Sequence, residues 1–387
     1  MEPNLIFKNY KVKKNLNGKI KLNNFLNKIN NLQWPKFFNS YKNSYRYSYS
    51  ENLIKNYKKF KNINVIGMGG SSLGTKAIYN FLKKKINKNV TFSDNLNLNN
   101  LIKKKKKLNL IISKSGNTLE TVVNFNTTFN RNDKNIFITE NNSNYLRKLA
   151  SKLKSDIVEH KNFIGGRFSV LSEVGMLPAE LMGLNEKKFK KYNDLIIKKK
   201  FTKNLVENVL ATYDFVKNKK FNSVILNYDT QSDDFFKWYQ QLISESLGKN
   251  SKGIMPTIST MPKDNHSILQ LYLSGFKYNF YTFFITEEKN SSKIDSNLMF
   301  DSFNFLKKKN TFNILNSQRI ATENIFKQKK IPFRSFYIKK RNEETLGELF
   351  CFFTLEVILL SHLLKVNPLN QPEVELVKNK TFQILRS

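Results

Sequence analysis

From about residue 62 onward, short continuous apolar runs alternate with longer stretches in which apolar positions recur at helical spacing. The run NVIGM at 64–68 reads as a strand, passes through Gly69, Gly70, Ser71 and Ser72, and leads into a helix over 73–82. A second apolar run at 108–112 stops at Ser113, Lys114, Ser115, Gly116, Asn117 and Thr118, after which Leu119, Val122, Val123 and Phe125 mark a helix. A strand at 135–139 and a helix at 143–153 follow, then a Lys-rich helix over 186–200. The alternation resumes with a strand at 223–227, a helix at 233–247, a long strand at 278–286, a helix at 345–365 and a C-terminal helix after Pro372. Strands that alternate with helices predict parallel sheets covered on both faces, hence an α/β fold of two units in series. Residues 1–58 are rich in Asn, Lys and Tyr, with scattered apolar positions at Phe25, Ile29, Leu32 and Trp34. They read as helices packed on the first unit.

Composition narrows the class. The 387 residues include 40% hydrophobic and 13% aromatic side chains, enough for a real core, and the formal charge is +36. A basic surface attracts nucleic acid, anionic membranes or anionic metabolites. Here the lysines run through the whole chain beside abundant Asn, so they indicate compositional drift and favour anionic metabolites over nucleic acid. The lysine run 103–107 reads as a solvated loop or helix end. Cys351 has no partner in the chain, and a buried free thiol suits a reducing compartment. The N-terminus lacks an apolar signal core. The apolar stretch 346–364 carries Glu348, Glu356 and His362 and reads as a buried helix of a cytoplasmic, soluble chain.

The strand–helix junctions carry the candidate chemistry. Small hydroxyl residues at a helix start present amides, a helix dipole and side-chain donors to a phosphate. The 113–118 loop therefore reads either as a phosphate cradle or as an ordinary connection; it lacks the Walker spacing. The Gly67–Gly69–Gly70 turn begins like a dinucleotide fingerprint, but Ser72 stands where the last glycine belongs, so a nicotinamide cofactor is not expected. Arg167 follows two glycines, Gly165 and Gly166, and can hold an oxyanion. Glu245 lies near the end of a helix with Gln241 one turn earlier on the same face, an arrangement suited to a general base or to a plain exposed helix end. Only His160, His266 and His362 are present, dispersed and without clustered acids, so no metal site is expected.

Six segments then fall in a known order: GMGGSSLG, ISKSGNTLET, GGRFSVLSEVGMLP, QQLISESLGK, DNHSILQLYLSG and NPLNQPEVELVK, spanning residues 67–378. The chain resembles the glucose-6-phosphate isomerase (phosphoglucose isomerase) family, as a compact bacterial member. The resemblance implies two sugar-isomerase (SIS) domains, each a parallel sheet in a three-layer αβα arrangement, and a C-terminal helical arm. The expected division is an N-terminal segment at 1–58, a first SIS domain at 59–200, a second at 201–366 and the arm at 367–387.

It also implies roles. Ser113, Lys114, Ser115 and Thr118 would hold the substrate phosphate, with Ser71 nearby. Arg167 and the backbone of Gly166 would face the sugar oxygens at C1 and C2. Glu245 would move the proton, and Gln241 would line the phosphate side. His266 and Lys378 would assist ring opening, with Gln371 lining the site. His266 would come from a second copy, which makes a homodimer the expected assembly, with a hexose 6-phosphate substrate and no cofactor. The implied reaction is aldose–ketose isomerisation through a cis-enediolate. A dual phosphoglucose/phosphomannose isomerase is the alternative, and a non-catalytic SIS sugar-phosphate sensor is disfavoured because Glu245, Arg167, His266 and Lys378 are all retained. The C-terminal motif departs from the family at Leu369, Asn370 and Glu373.

Overall fold

The computed structural model describes residues 4–10, 16–31, 35–96 and 106–387. Leu32, Trp34 and the first three lysines of the 103–107 run lie outside the described residues. Ten strands are present among them: β1 (Leu5–Lys8), β2 (Asn62–Ile66), β3 (Asn89–Ser93), β4 (Leu108–Ile112), β5 (Lys134–Thr139), β6 (Asp156–Glu159), β7 (Asn222–Asn227), β8 (Met255–Thr260), β9 (Asn279–Thr286) and β10 (Phe333–Ile338).

They form two five-stranded sheets. The first runs β3-β2-β4-β5-β6 and is parallel throughout. The second runs β1-β10-β9-β7-β8, with β7 to β10 parallel to one another. In each sheet the second strand of its unit lies outside the first, and the third lies on the first's other side. This doubly wound order creates a switch point between β2 and β4 and another between β7 and β9, where crevices open at the carboxyl ends of the strands. β4 is buried at every position and so is β9, which explains why both are mostly apolar and do not alternate with exposed polar positions.

The N-terminal segment differs from expectation. β1 pairs antiparallel with β10, Leu5 opposite Ile338, and so closes an edge of the second sheet. The helix Leu16–Asn31 packs on the helices Lys199–Lys217 and Glu343–Leu364, whereas the turn Lys36–Tyr41 and the helix Glu51–Tyr57 pack against the first unit. An open sheet edge exposes unpaired amides and carbonyls, and the first residues of the chain supply the partner. The expected single helix over 186–200 is three pieces: a 3-10 turn at Glu186–Phe189, a short helix at Tyr192–Ile196 and the start of Lys199–Lys217.

The helix Glu343–Leu364 is long and apolar enough to cross a bilayer by length and composition, but nearly every residue of it is buried in the protein core. Its Glu356 is paired there. Arg334, the second residue of β10, donates to Glu356 from that helix and also to Asn208 (2.8 Å) and Thr282 (2.9 Å). The C-terminal helix Pro372–Arg386 has no buried residue. Leu376, Val377, Ile384 and Leu385 are each more than 60% exposed, an apolar face without a partner among the described residues.

Candidate active site

The helix Asp233–Leu247 buries Phe235, Phe236, Trp238, Tyr239, Leu242 and Ile243. That helical stripe leaves Gln241 and Glu245, four residues apart, on the opposite face. Gln241 Nε2 donates to Glu245 Oε1 at 2.9 Å. The other carboxylate oxygen, Oε2, accepts from Arg167 Nη1 at 2.7 Å. Arg167 is 3% exposed, whereas Glu245 keeps 26% of its side chain open to solvent. Each carboxylate oxygen is thus fixed by a protein donor, while the group as a whole faces a cleft.

Arg167 sits in a 3-10 turn, Gly166–Leu171, whose placement depends on glycine. A Cβ on Gly70 would meet the Gly166 carbonyl and come within 2.7 Å of the Arg167 nitrogen. The Gly69–Gly70 turn and the Gly166–Arg167 turn therefore touch backbone to backbone. Gly69 has a φ of +53°, and a Cβ there would meet Gln241 Nε2 at 2.8 Å. Both glycines permit a close approach that brings Gln241 and Arg167 to one carboxylate.

The other terminal guanidinium hydrogens hold the C-terminal strap. Nη1 donates to Gln371 Oε1 (2.6 Å), and Nη2 donates to the Pro368 (2.7 Å) and Asn370 (3.1 Å) carbonyls. Burial pulls the guanidinium below its ordinary value, and the Glu245 carboxylate opposes that pull. Arg167 Nε and Gln241 Oε1 are buried without a hydrogen-bond partner among the described residues, which leaves each one polar position to offer a ligand.

The 113–118 loop leaves β4 next to the Gly67–Ser71 turn that leaves β2, at the switch point. A Cβ on Gly67 would stand 2.9 Å from both the Ile112 carbonyl and Ser71 Cβ. Ser113 and Thr118 share a hydrogen bond between their hydroxyls (2.8 Å), and Ser115 Oγ accepts from the Asn117 amide (3.4 Å). Thr118 begins the helix Leu119–Thr128, whose first-turn amides open onto the loop. Gly116 takes a φ of +67° against the Asn144 side chain, and Asn117 Oδ1 accepts from the Tyr145 amide (3.0 Å). The loop is therefore pinned to the start of the next helix. Lys114 is committed elsewhere, donating to the Asn162 carbonyl (2.8 Å) and pairing with Glu140 (3.5 Å).

Gly166, Arg167, Gln241, Glu245 and Gln371 form one connected group, with Ser71 and the 113–118 loop beside it. His266 and Lys378 are not joined to it within the chain. His266 is exposed at the end of the 3-10 turn Lys263–His266 beyond β8, and no hydrogen bond links it to Glu245 or Arg167 among the described residues. Lys378 stands on the exposed C-terminal helix and pairs with Glu375 (2.7 Å). Sequence reasoning missed Lys249, which donates to the Glu245 (2.6 Å) and Ser246 (2.8 Å) carbonyls. Its signal was the Lys-Asn-Ser-Lys stretch just past a helix end. No group of three or more His, Cys, Asp or Glu side chains suited to a metal occurs among the described residues.

Comparison with known proteins follows the same lines. Residues 50–262 match the family model described as phosphoglucose isomerase. A glucose-6-phosphate isomerase of Methanocaldococcus jannaschii is 35% identical, over 87% of this chain and 88% of that protein. One of Mycoplasmopsis synoviae is 32% identical, over 83% of this chain and 81% of that protein. Among solved structures, a hypothetical protein of Thermus thermophilus superposes with a TM-score of 0.83 at 21% identity, covering 95% of each chain. A glucose-6-phosphate isomerase of Chlamydia trachomatis gives 0.66 at 18% identity, covering 86% of this chain and 71% of that one. At such identities the two structures speak to the fold alone.

Proposed function

We propose that Glu245 is the base that carries the proton in the reaction this chain catalyses as a member of the phosphoglucose isomerase family, the reversible isomerisation of glucose 6-phosphate and fructose 6-phosphate in glycolysis and gluconeogenesis. Glu245 takes the proton from C2 of the open-chain aldose, the C2–H electron pair moves into the C1–C2 bond, and negative charge develops on the sugar oxygens. A proton passes from the C2 hydroxyl to O1, and return of the carbon-bound proton to C1 completes the ketose. Arg167 is the fixed cation that stabilises the enediolate, a form of preorganised charge worth several kcal/mol of barrier. The observation that carries this reading is the carboxylate of Glu245, held between Arg167 and Gln241 at a cleft edge.

The sugar's C6 phosphate rests on the 113–118 loop, through the hydroxyls of Ser113, Ser115 and Thr118, the amides of the following helix and Ser71 across the switch point. Lys114 acts through the loop's fold and the local positive charge, since its ammonium is tied to Glu140 and Asn162. Gln371 lines the site beside Arg167. A second copy of the chain supplies His266, and the C-terminal helix with Lys378 reaches the site in that homodimer, where its apolar face finds a partner. Both residues act in ring opening.

The test is glucose 6-phosphate turnover by Glu245→Gln, coupled to sugar-phosphate binding by calorimetry. The expected outcome is intact binding with at least about a hundredfold loss in kcat. Wild-type kcat would remove Glu245 from the reaction.

A further inference from the structure

Glu245 occupies the last turn of its helix, where the unpaired carbonyls and the helix dipole are negative and oppose a carboxylate. Two side chains from one tight turn answer that problem. Residues 249–252 close on themselves, with the Lys249 amide donating to the Lys252 carbonyl (3.1 Å) and the Lys252 amide to the Lys249 carbonyl (3.0 Å). The two central residues, Asn250 and Ser251, both have left-handed φ values, +54° and +56°. That is a type I′ turn, a rigid two-residue connection.

It aims its lysines at two different helix ends. Lys249 Nζ donates to the Glu245 and Ser246 carbonyls, whereas Lys252 Nζ donates to the Leu364 carbonyl (2.9 Å). The helix that ends at Leu364 runs directly into the strap whose Pro368, Asn370 and Gln371 grip Arg167. Glu245, Lys249, Lys252 and Gln371 line one cleft of about 640 Å³.

We propose that this turn is a positioning device for the reaction: Lys249 offsets the helix-end charge beneath the Glu245 carboxylate and, with Lys252, fixes Glu245 relative to Arg167 and Gln371. The proposal rests on the reading of Glu245 as the base. Lys249 touches no reacting atom in this scheme and is a positioning residue. The charged groups that face it are Glu245 on its helix, Arg167 on the 166–171 turn, Lys252 in its own turn and Glu373 across the cleft on the C-terminal helix. Burial, reinforced by the Arg167 charge and opposed by Glu245, pushes the Lys249 ammonium down to about 8. Above that pH its charge is lost and the helix end is no longer offset.

The experiment compares pH profiles of kcat and KM for glucose 6-phosphate in the wild type, Lys249→Met and Lys249→Arg, with thermal melts. At pH 7 Lys249→Met should lose about ten- to a hundredfold in kcat, the range expected for misplacement of about an ångström, with KM little changed. Lys249→Arg should recover most of that loss. The wild type should lose kcat above about pH 8, and Lys249→Arg should not, because a guanidinium keeps its proton there. Wild-type kcat in Lys249→Met, or an unchanged alkaline fall in Lys249→Arg, would overturn the proposal. If Lys249→Met does not fold, the arginine profile decides alone. An inactive Glu245→Gln alongside lysine variants that match wild type would sink this inference and leave the base in place, whereas a fully active Glu245→Gln would remove the base itself.

Discussion

Gly70→Ala adds one methyl group at the point where the first sheet's glycine turn meets the Arg167 turn. The new Cβ would lie 2.7 Å from the Arg167 nitrogen, with the Gly166 carbonyl closer still. An unstrained heavy-atom contact sits at about 3.5–4.0 Å, so the two turns must separate by roughly 1 Å. Both sides of the contact are backbone, and no side chain can rotate away. Overpacking of this kind costs about 1–3 kcal/mol of stability. The larger effect falls on catalysis. Arg167 is carried by the turn that must move, while Glu245 belongs to a different helix, so the 2.7 Å pair between them is lost or skewed. A displacement of about 1 Å in a catalytic arrangement costs on the order of a hundredfold in rate. Gly165→Ala is the control, because the nearest atom its Cβ would meet is Phe168 Cδ2 at 3.6 Å, an ordinary contact. The assay couples fructose 6-phosphate turnover to a glucose-6-phosphate dehydrogenase, with a melt recorded on each variant. Gly70→Ala should lose on the order of a hundredfold in kcat while remaining folded, and Gly165→Ala should match the wild type. Full activity in Gly70→Ala would refute the claim that this contact sets the position of Arg167.

Two further outcomes bear on the phosphate loop and the core. Ser115→Ala combined with Thr118→Ala should raise KM for glucose 6-phosphate at least about tenfold, since hydrogen bonds to a charged group contribute about 1.5–3 kcal/mol each; an unchanged KM would put the phosphate elsewhere. Glu356→Leu strands Arg334, which is 1% exposed, without its counter-charge. Breaking such a buried pair costs about 3–5 kcal/mol, so urea unfolding should show a loss of that size, and a loss under about 1 kcal/mol would contradict the pairing.

Much of the architecture was legible because local signals agreed with it. The switch from an apolar run to small hydroxyl residues at 113–118 marks the end of β4 and the start of the next helix, which is where the fold turns. The helix Asp233–Leu247 was equally clear, with paired acids at its start and a glycine just past its end. Other elements depend on partners distant in sequence. β10 carries a buried arginine at its second position, which no strand pattern predicts, and its charge is answered by Glu356, 22 residues later on a helix. β1 forms only because β10 offers an edge to pair with. β8 begins with Met255 and Pro256 and alternates weakly. In the site, Glu245 and Gln241 were visible as neighbours on one helix face. The pairing of Glu245 with Arg167 spans 78 residues and arises from two glycine turns in contact. The roles first assigned to Arg167, Glu245, His266 and Lys378 came from ordered motifs, since no local pattern distinguishes such side chains from surface charges.

The claim that Glu245 moves the substrate proton is tested most directly by isotope exchange. Glucose 6-phosphate deuterated at C2 is incubated in ordinary water with the wild type or Glu245→Gln, and loss of deuterium is followed by NMR. The wild type should exchange the label as it turns over, and Glu245→Gln should slow exchange by at least about a hundredfold while still binding the sugar phosphate. Exchange at the wild-type rate in Glu245→Gln would contradict the account.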